Sequence, residues 1–332
     1  MNAERAARLF VIGLLLGVPL AIFAAQWLKP AHVVELHARM AETGGWTPGD
    51  LTARVGEPLH LRFTSDDVQH GFAVGQTDFP AVDVLPGRMT EATLTFDKPG
   101  TYAFYCTKWC GLNHWRMRGT IEVTADSAAG TGVQLNAPTP ALEPVASPLY
   151  VTLGINIDNP HPAARVPERK PWAGRSAMFG VTLPAGYLAP DYARSHTPVE
   201  VWQSLQAESP SQLSDAAVWD LVAFVWKSNT SSATLAEGQQ LYAANCAACH
   251  GEQGDGKGVM AAALIAQIPD AKTPAAFANS ASMLGASPAL LQGKIIRGGM
   301  GTGMPSWGAI FTESQTWALV DFLWTFQFEM NK

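Results

Sequence analysis

The stretch from Cys106 to Met117 reads CTKWCGLNHWRM and holds four side chains that can bind a soft metal ion. Two cysteines stand four residues apart, a histidine follows the second cysteine by four residues, and a methionine follows the histidine by three. Thiolate, imidazole and thioether groups together favour a soft ion such as copper or zinc over a hard cation. This grouping predicts that the stretch is a single metal-binding loop.

The residues on either side of this loop show the alternating pattern of β-strands. Segments such as PLHLRF (58–63), TYAFYC (101–106) and GTIEV (119–123) have high β-propensity, and glycine- and proline-containing turns separate them. Seven segments of this kind fall between His32 and Val123. Short strands at this density predict an all-β sandwich, here given the bounds 31–125.

His70, in SDDVQHGF, is the natural partner for the loop because it lies on an earlier strand of the same predicted domain. A single blue-type copper uses two histidines, one cysteine and a weak axial methionine. The second cysteine favours two copper ions bridged by both thiolates, each ion with one imidazole. Zinc bound by two cysteines and two histidines is an alternative. A Cys106–Cys110 disulfide is another.

Residues 50–124, with the pattern His, Cys-x3-Cys-x3-His-x2-Met, resemble the CuA cupredoxin domain of haem-copper oxidase subunit II. The resemblance implies a dinuclear copper centre with bridging thiolates, one imidazole per ion, and two weak ligands. The implied ligands are Cys106 and Cys110, then His70 and His114, then Met117 and the backbone carbonyl of Lys108. Many family members carry glutamate where this chain has Lys108. Together with a single predicted membrane span, this is similar to the smaller B-type oxidases.

A second motif, CAACH (Cys246–His250), lies at the end of a predicted helix and before a glycine-rich loop. Cys-x-x-Cys-His is the attachment signal for c-type haem, in which Cys246 and Cys249 bind the haem covalently and His250 binds the iron. A thioredoxin-like redox pair is the alternative, but the βαβ context of that fold is missing and the adjacent histidine would have no role.

The residues around CAACH resemble class I cytochrome c, which implies an all-α domain over 236–332 with one haem c. The second iron ligand is then expected to be a methionine before the last helix. Met304, in GTGMPSW, fits the family's Met-Pro habit, and Met300 is the second candidate. Met283 is expected to be a core residue.

The N-terminus predicts the compartment. Leu9–Leu28 is a run of 20 residues without a charge, long enough for one transmembrane helix, so residues 1–30 are predicted to be an anchor. Arg5 and Arg8 precede the run, which keeps the N-terminus in the cytoplasm and places the following domains in the periplasm, on a single-pass inner-membrane protein. A cleaved signal peptide is the alternative, because FAAQ offers small residues at a cutting site.

Two further regions lie between the predicted domains. Residues 126–148 are rich in Ala, Pro, Gly, Ser and Thr and are predicted to be a linker. Residues 149–235 are irregular and partly helical, and their segment 213–228 aligns with 311–326 at a constant offset of 98. The middle region is therefore either a degenerate, haem-less copy of the cytochrome c domain or an unrelated pair of helices with the same aromatic packing pattern.

The composition excludes some functions. The net charge is −6 and no basic block occurs, so nucleic acid is not an expected partner. Neither motif contains a nucleophile beside a general base, so the chain alone is expected to carry electrons without catalysing a reaction.

The combined features predict a multidomain subunit II of a respiratory cytochrome c oxidase. In this hypothesis a soluble cytochrome c or cupredoxin donates to the haem c, and the electron passes through CuA to the haem-copper oxidase subunit I, which reduces O2. Two alternatives stay open. One is the electron-input subunit of a CuA-containing nitric oxide reductase, and the other is a free periplasmic carrier.

Overall fold

The structure, a computed structural model of the 332-residue chain, describes residues 33–111, 114–125, 147–208, 213–267, 272–299 and 303–330. The predicted span Leu9–Leu28 and nearly all of the predicted linker 126–148 lie outside the described residues. Among the helices in the described ranges, none combines the length and the hydrophobicity needed to cross a membrane.

The N-terminal part is a β-sandwich of two sheets, which confirms the predicted all-β domain. One sheet has the strand order β2-β1-β4-β7, and the other has the order β3-β9-β8-β5-β6. The strands are β1 (Val33–Ala38), β2 (Trp46–Thr47), β3 (Asp50–Arg54), β4 (Leu59–Ser65), β5 (His70–Val74), β6 (Val82–Val84), β7 (Thr90–Leu94), β8 (Gly100–Cys106) and β9 (Arg118–Thr124). Two of these, β2 and β6, were not predicted, because two or three residues are too few for an alternating pattern to be seen.

Aromatic residues from both sheets fill the sandwich. Phe63 of β4 packs against Phe72 of β5 with ring centroids 4.6 Å apart, and Phe72 in turn contacts Phe104 of β8 at 5.4 Å. All three side chains are fully buried. Burying a phenylalanine contributes roughly 1.5–3 kcal/mol, so this cluster fixes which faces of the sheets meet. It also fixes the position of the loop between β8 and β9.

The part after residue 147 is helical, as predicted for the C-terminal domain. The helices are α1 (Leu149–Thr152), α2 (Pro190–Ser195), α3 (Pro198–Glu208), α4 (Asp215–Ser228), α5 (Ser232–Asn245), α6 (Ala247–His250), α7 (Ala261–Gln267), α8 (Ser280–Met283), α9 (Pro288–Arg297) and α10 (Glu313–Trp324). Their ends carry ordinary signals. Thr312 caps α10 in a reciprocal capping box with Gln315, and Ser214 caps α4 through the Ala217 amide.

One hydrophobic core runs through the middle and C-terminal regions, from Ile157 to Met330. The repeated segments meet inside it. Trp226 of α4 and Trp324 of α10 occupy equivalent positions at the offset of 98, and their ring centroids lie 5.5 Å apart. The boundary at residue 235 stays a prediction, because this core crosses it without a break.

The two predicted copies share a helix pair and differ in what packs on it. Helix α3 packs against α4 as α9 packs against α10, and each first helix begins with a proline. Helix α10 also packs against α5, which leads into Cys246, whereas α4 packs against the 3-10 turn Ala173–Phe179. The two helix pairs therefore pack against different neighbours, and the degenerate-copy interpretation of the middle region stays a prediction.

The crossing of α5 and α10 gives a stability prediction. A Cβ atom added at Gly238 would lie 2.0 Å from the Ala318 carbonyl oxygen, because the two helix backbones are in contact there. Gly238→Ala is expected to destabilise the helical part by about 1–3 kcal/mol, in the range for overpacking a well-packed site. Calorimetry of the unfolding transition measures the effect. Gly186→Ala is the matched control, since a Cβ there meets no atom within 4 Å.

Candidate copper and haem sites

Strand pairing brings the predicted copper ligands together. Cys106 ends β8, and β5 begins at His70 and runs antiparallel beside β8, with Phe72 opposite Cys106. The loop that follows Cys106 turns over this edge and returns as β9 at Arg118. Side-chain ligand atoms of His70, Cys106 and Cys110 lie within 4.8 Å of one another, the one such group found in the described residues.

The distances form two matched halves around a pair of sulfur atoms. The Sγ atoms of Cys106 and Cys110 are 3.9 Å apart, too far for a disulfide bond. Cys106 Sγ lies 3.8 Å from His70 Nδ1, and Cys110 Sγ lies 3.5 Å from His114 Nδ1. Each thiol therefore faces one imidazole nitrogen.

Two further donor atoms complete the ring. Met117 Sδ lies 3.7 Å from Cys110 Sγ, and the Lys108 carbonyl oxygen lies 3.3 Å from Cys106 Sγ. The Met117 carbonyl oxygen accepts hydrogen bonds from the Cys106 amide and the Trp46 indole, which hold both ends of the loop. The Lys108 side chain points elsewhere, to Asp83 at 3.1 Å. All six residues of the predicted site thus contribute an atom to one small volume.

Asp67 is a part of this site that the sequence analysis missed. Its carboxylate lies 2.7 Å from His70 Nε2 and also accepts hydrogen bonds from the Met40 and Val68 amides. Burial alone would raise the pKa of Asp67, but these hydrogen bonds lower it overall. A carboxylate on one ring nitrogen leaves the other nitrogen free to bind a metal, the usual arrangement for a metal-binding histidine. The spacing of three residues in DDVQH was the available signal.

The two thiols differ in acidity because each is the main influence on the other's pKa. A hydrogen bond from Cys110 lowers the pKa of Cys106 to about 3, and the Cys106 thiolate raises the pKa of Cys110. Burial lowers the pKa of His70, and hydrogen bonds with Cys106 and Asp67 more than offset that effect. A metal ion would thus meet one thiolate already formed and displace the remaining proton.

The donor set fits copper. Two thiolates, two imidazoles and a thioether are soft or borderline ligands. Zinc would use the four strong donors in a closed tetrahedron and leave the Met117 sulfur without a function. The thioether, fully buried and in contact with Cys110, is the observation that favours copper.

The second motif lines an open cavity of about 330 Å³. Helix α5 ends at Asn245, and the short α6 carries Cys249 and His250 to the cavity wall. His250 Nδ1 lies 2.9 Å from the Ala275 carbonyl oxygen, so Nε2 is the nitrogen left for a metal. Burial raises the pKa of Cys246 to about 12, which argues against an activated thioredoxin-like thiol.

Met304 lies on the wall of the same cavity as Cys246, Cys249 and His250. Its carbonyl oxygen accepts a hydrogen bond from the Gly299 amide. The second candidate, Met300, lies outside the described residues. Met283 is buried in the helical core, as expected.

The copper loop and the haem cavity meet, which the sequence analysis did not foresee. Trp109, His114 and Trp115 of the loop line the cavity that holds CAACH and Met304. The Trp109 ring lies 5.7 Å from the ring of His114, the candidate copper ligand on the cavity wall. No local signal links these residues, because more than a hundred positions separate the two motifs.

Comparisons with known proteins agree with both motifs. Residues 37–124 match the family model described as cytochrome c oxidase subunit II, periplasmic domain. Residues 233–323 match the model described as cytochrome c oxidase, cbb3-type, subunit III. The subunit II resemblance is thereby confirmed, with a cytochrome c domain in the C-terminal part of the chain. The first match implies copper, and the second implies haem.

Among curated proteins, the chain is similar to cytochrome c oxidase subunit 2 of Thermus thermophilus, at 40% identity over 79 residues, which is 24% of this chain and 58% of the relative. The subunit 2 of one defined strain of Thermus thermophilus matches at the same identity, with 46% of its own length covered. The chain thus spans about half the length of these relatives. A solved haem-copper terminal oxidase dimer contains a chain that is 28% identical, with 37% of this chain and 100% of that chain covered and a TM-score of 0.24.

Proposed function

We propose that this chain, which joins the periplasmic domain of a cytochrome c oxidase subunit II to a cytochrome c domain, is the electron-input subunit of a haem-copper cytochrome c oxidase. The observation that carries the proposal is the shared cavity. Residues of the copper loop form part of the wall around the haem-attachment motif. Two redox sites that lie against each other in one chain are suited to passing electrons from one to the other.

The candidate ligands divide into two sets, one for each cofactor. Cys106 and Cys110 would bridge a pair of copper ions, each also bound by one imidazole, with a thioether and a carbonyl as weak ligands. The remaining copper ligands are His70, His114, Met117 and the carbonyl of Lys108. The haem c would be held by Cys246, Cys249, His250 and Met304. When bound, both cofactors supply reversible one-electron chemistry with filled ligand sets.

The geometry supports haem as the receiving site and copper as the delivering site. Trp109 and Trp115 line the haem cavity, so the cytochrome domain lies against this side of the copper loop, while Trp109 stays 45% exposed. A soluble donor that approaches the loop from this side would meet the cytochrome domain beside it. We therefore propose that a periplasmic cytochrome c or cupredoxin docks on the cytochrome domain.

The partners and the location follow from the same relationship. The match of residues 37–124 to a subunit II periplasmic domain supports a periplasmic location for the described domains. We propose that a haem-copper oxidase subunit I in the inner membrane accepts the electrons and reduces O2, and that residues 1–30 anchor this chain beside it. Release of full-length chain from membranes by salt alone would contradict the anchor.

Rapid mixing with a reduced soluble c-type cytochrome tests the order of the two sites. The haem absorbance of the full-length chain is expected to change first and the copper absorbance second. His250→Ala should slow copper reduction by about 10-fold or more, because the donor must then find the copper site directly. The copper electron paramagnetic resonance (EPR) spectrum serves as the control and should stay unchanged. Copper reduction at the wild-type rate in this variant would show that the cytochrome domain is not the input site.

A further inference from the structure

The segment that follows Met304 is held by the copper domain through residues that neither cofactor site uses. Residues 306–310 lie against the end of β5 and the start of β9, where Gln76 and Arg118 contact their backbone. We refer to Gln76 and Arg118 as the docking clasp. Behind the clasp, Ala103 and Tyr105 on the outer face of β8 pack against the helical core.

Gln76 has a strained backbone that the contact with the helical part holds in place. Its φ angle is 59°, and no other described non-glycine residue has a positive φ. Its amide donates to the Ile310 carbonyl oxygen at 3.0 Å, and its side-chain amide donates to the Gly308 carbonyl oxygen at 2.8 Å. A left-handed backbone is unfavourable for residues other than glycine and persists where the surroundings require it.

Gly75, the residue before Gln76, shows how closely the copper domain approaches residues 306–310. A Cβ atom at Gly75 would lie 2.8 Å from the Ala309 carbonyl oxygen and from the Ile310 Cα atom. The two backbones therefore touch at Gly75, with no side chain between them. Such a contact requires a defined relative position of the two domains.

Arg118 forms the other half of the clasp. It donates from Nη1 to the Ser306 carbonyl oxygen at 3.0 Å, and its guanidinium lies 5.2 Å from the centre of the Trp307 ring. Trp307 itself is buried. A cation over an indole face is attracted by the ring, and more strongly where water is excluded.

The clasp sits next to both methionines. Arg118 follows the copper ligand candidate Met117 directly, and Ser306 comes two residues after the haem ligand candidate Met304. A shift of Ser306 away from Arg118 would move Met304 relative to the copper loop. The hydrogen bond between Arg118 and Ser306 thus connects the two loops that carry the candidate methionine ligands.

We propose that Gln76 and Arg118 are positioning residues that lock the cytochrome domain onto the copper domain and fix the separation of the haem and copper sites. The inference rests on the proposed function. In the transfer that this docking serves, the reduced haem site loses one electron and the oxidised copper site gains it. No bond forms or breaks. A fixed geometry lets the transfer proceed without a diffusive search by the cytochrome domain.

The test uses the full-length chain loaded with copper and haem, in wild-type form and as the Gln76→Ala/Arg118→Ala double variant. In the oxidised protein, the haem iron speeds the relaxation of the copper EPR signal in a distance-dependent manner. This enhancement is expected to fall in the double variant. After mixing with reduced cytochrome c, haem-to-copper transfer should slow by about 10- to 100-fold, the scale for losing a fixed geometry. The methionine-haem absorbance band and the copper EPR line shape should not change.

Arg88→Ala is the matched control, because it removes an exposed arginine of the copper domain that lies outside the copper loop. The described side-chain hydrogen bonds include none between Arg88 and residues 306–310. Wild-type relaxation and rate in the double variant would overturn the proposal, and so would slow transfer with unchanged relaxation. If haem and copper in the wild-type chain exchange no electrons, the proposed function fails, whereas the relaxation comparison still decides whether the clasp sets their separation.

Discussion

Cys110→Ser is expected to abolish the mixed-valence copper signal and to lower copper affinity by more than about 100-fold. Loss of only a hydrogen-bond partner of a metal ligand lowers affinity by up to about 100-fold, and loss of the ligand itself should cost more. The Cys110 sulfur lies at the centre of the site, 3.9 Å from Cys106 Sγ, 3.5 Å from His114 Nδ1 and 3.7 Å from Met117 Sδ. Serine offers a hard, protonated oxygen that cannot bridge two soft ions. Metal analysis and EPR of the purified full-length chain measure both effects.

The same change at a cysteine of the other motif is the control. Cys249→Ser should weaken haem attachment and leave two coppers per chain with an unchanged EPR signal. Cys106→Ser should match Cys110→Ser, because the two sulfurs occupy equivalent positions between the imidazoles. Survival of the mixed-valence signal in either copper-site variant would show that the thiolates do not both bridge. Zinc, or one copper with a blue-type spectrum, in the wild-type chain would reject the dinuclear site itself.

Met304→Ala is expected to leave the haem attached while lowering its reduction potential and opening a coordination position on the iron. The covalent attachment depends on Cys246 and Cys249, which this change does not touch. A thioether on the iron raises the potential, and axial ligands tune haem potentials over roughly 0.8 V, so a large decrease is expected. Redox titration measures the decrease, and binding of cyanide or imidazole to the variant detects the open position.

Met283→Leu controls for the loss of a methionine in the same domain, because Met283 is buried in the helical core and does not line the haem cavity. It should leave the potential and the ligand-binding behaviour unchanged. Met300→Ala separates the two candidates for the iron ligand. If Met300→Ala lowers the potential and Met304→Ala does not, Met300 is the ligand, and Met304 is only a wall residue of the cavity.

The middle region shows a partial agreement between pattern and structure. The offset of 98 predicted equivalent helices, and α3 with α4 does repeat the arrangement of α9 with α10. No feature of the pattern indicated that Trp226 and Trp324, the equivalent residues, would contact each other. Two amphipathic helices bury their apolar faces against any complementary surface, so an internal repeat predicts the faces but not their partners.

The sequence alone determined the local features of this protein. Short-range spacing and periodicity predicted the two metal-binding motifs and the strands of the β-sandwich. They also predicted the helix that leads into Cys246 and the last helix, which ends at Trp324. Such signals depend on residues a few positions apart, where chain geometry leaves little freedom. His70 could be assigned because it lies on an earlier strand of the same predicted domain and because its combination with the loop motif resembles a known family.

Only the tertiary structure decided how these parts meet. The meeting of the copper loop with the haem cavity, and the clasp of Gln76 and Arg118 on residues 306–310, depend on contacts across domains. These contacts are few, polar and directional, and they leave no periodic pattern in the chain. Gln76 is the clearest case, because glutamine does not predict a left-handed backbone. Its conformation follows from the two carbonyl oxygens of the cytochrome domain that its backbone and side-chain amides reach in the folded chain.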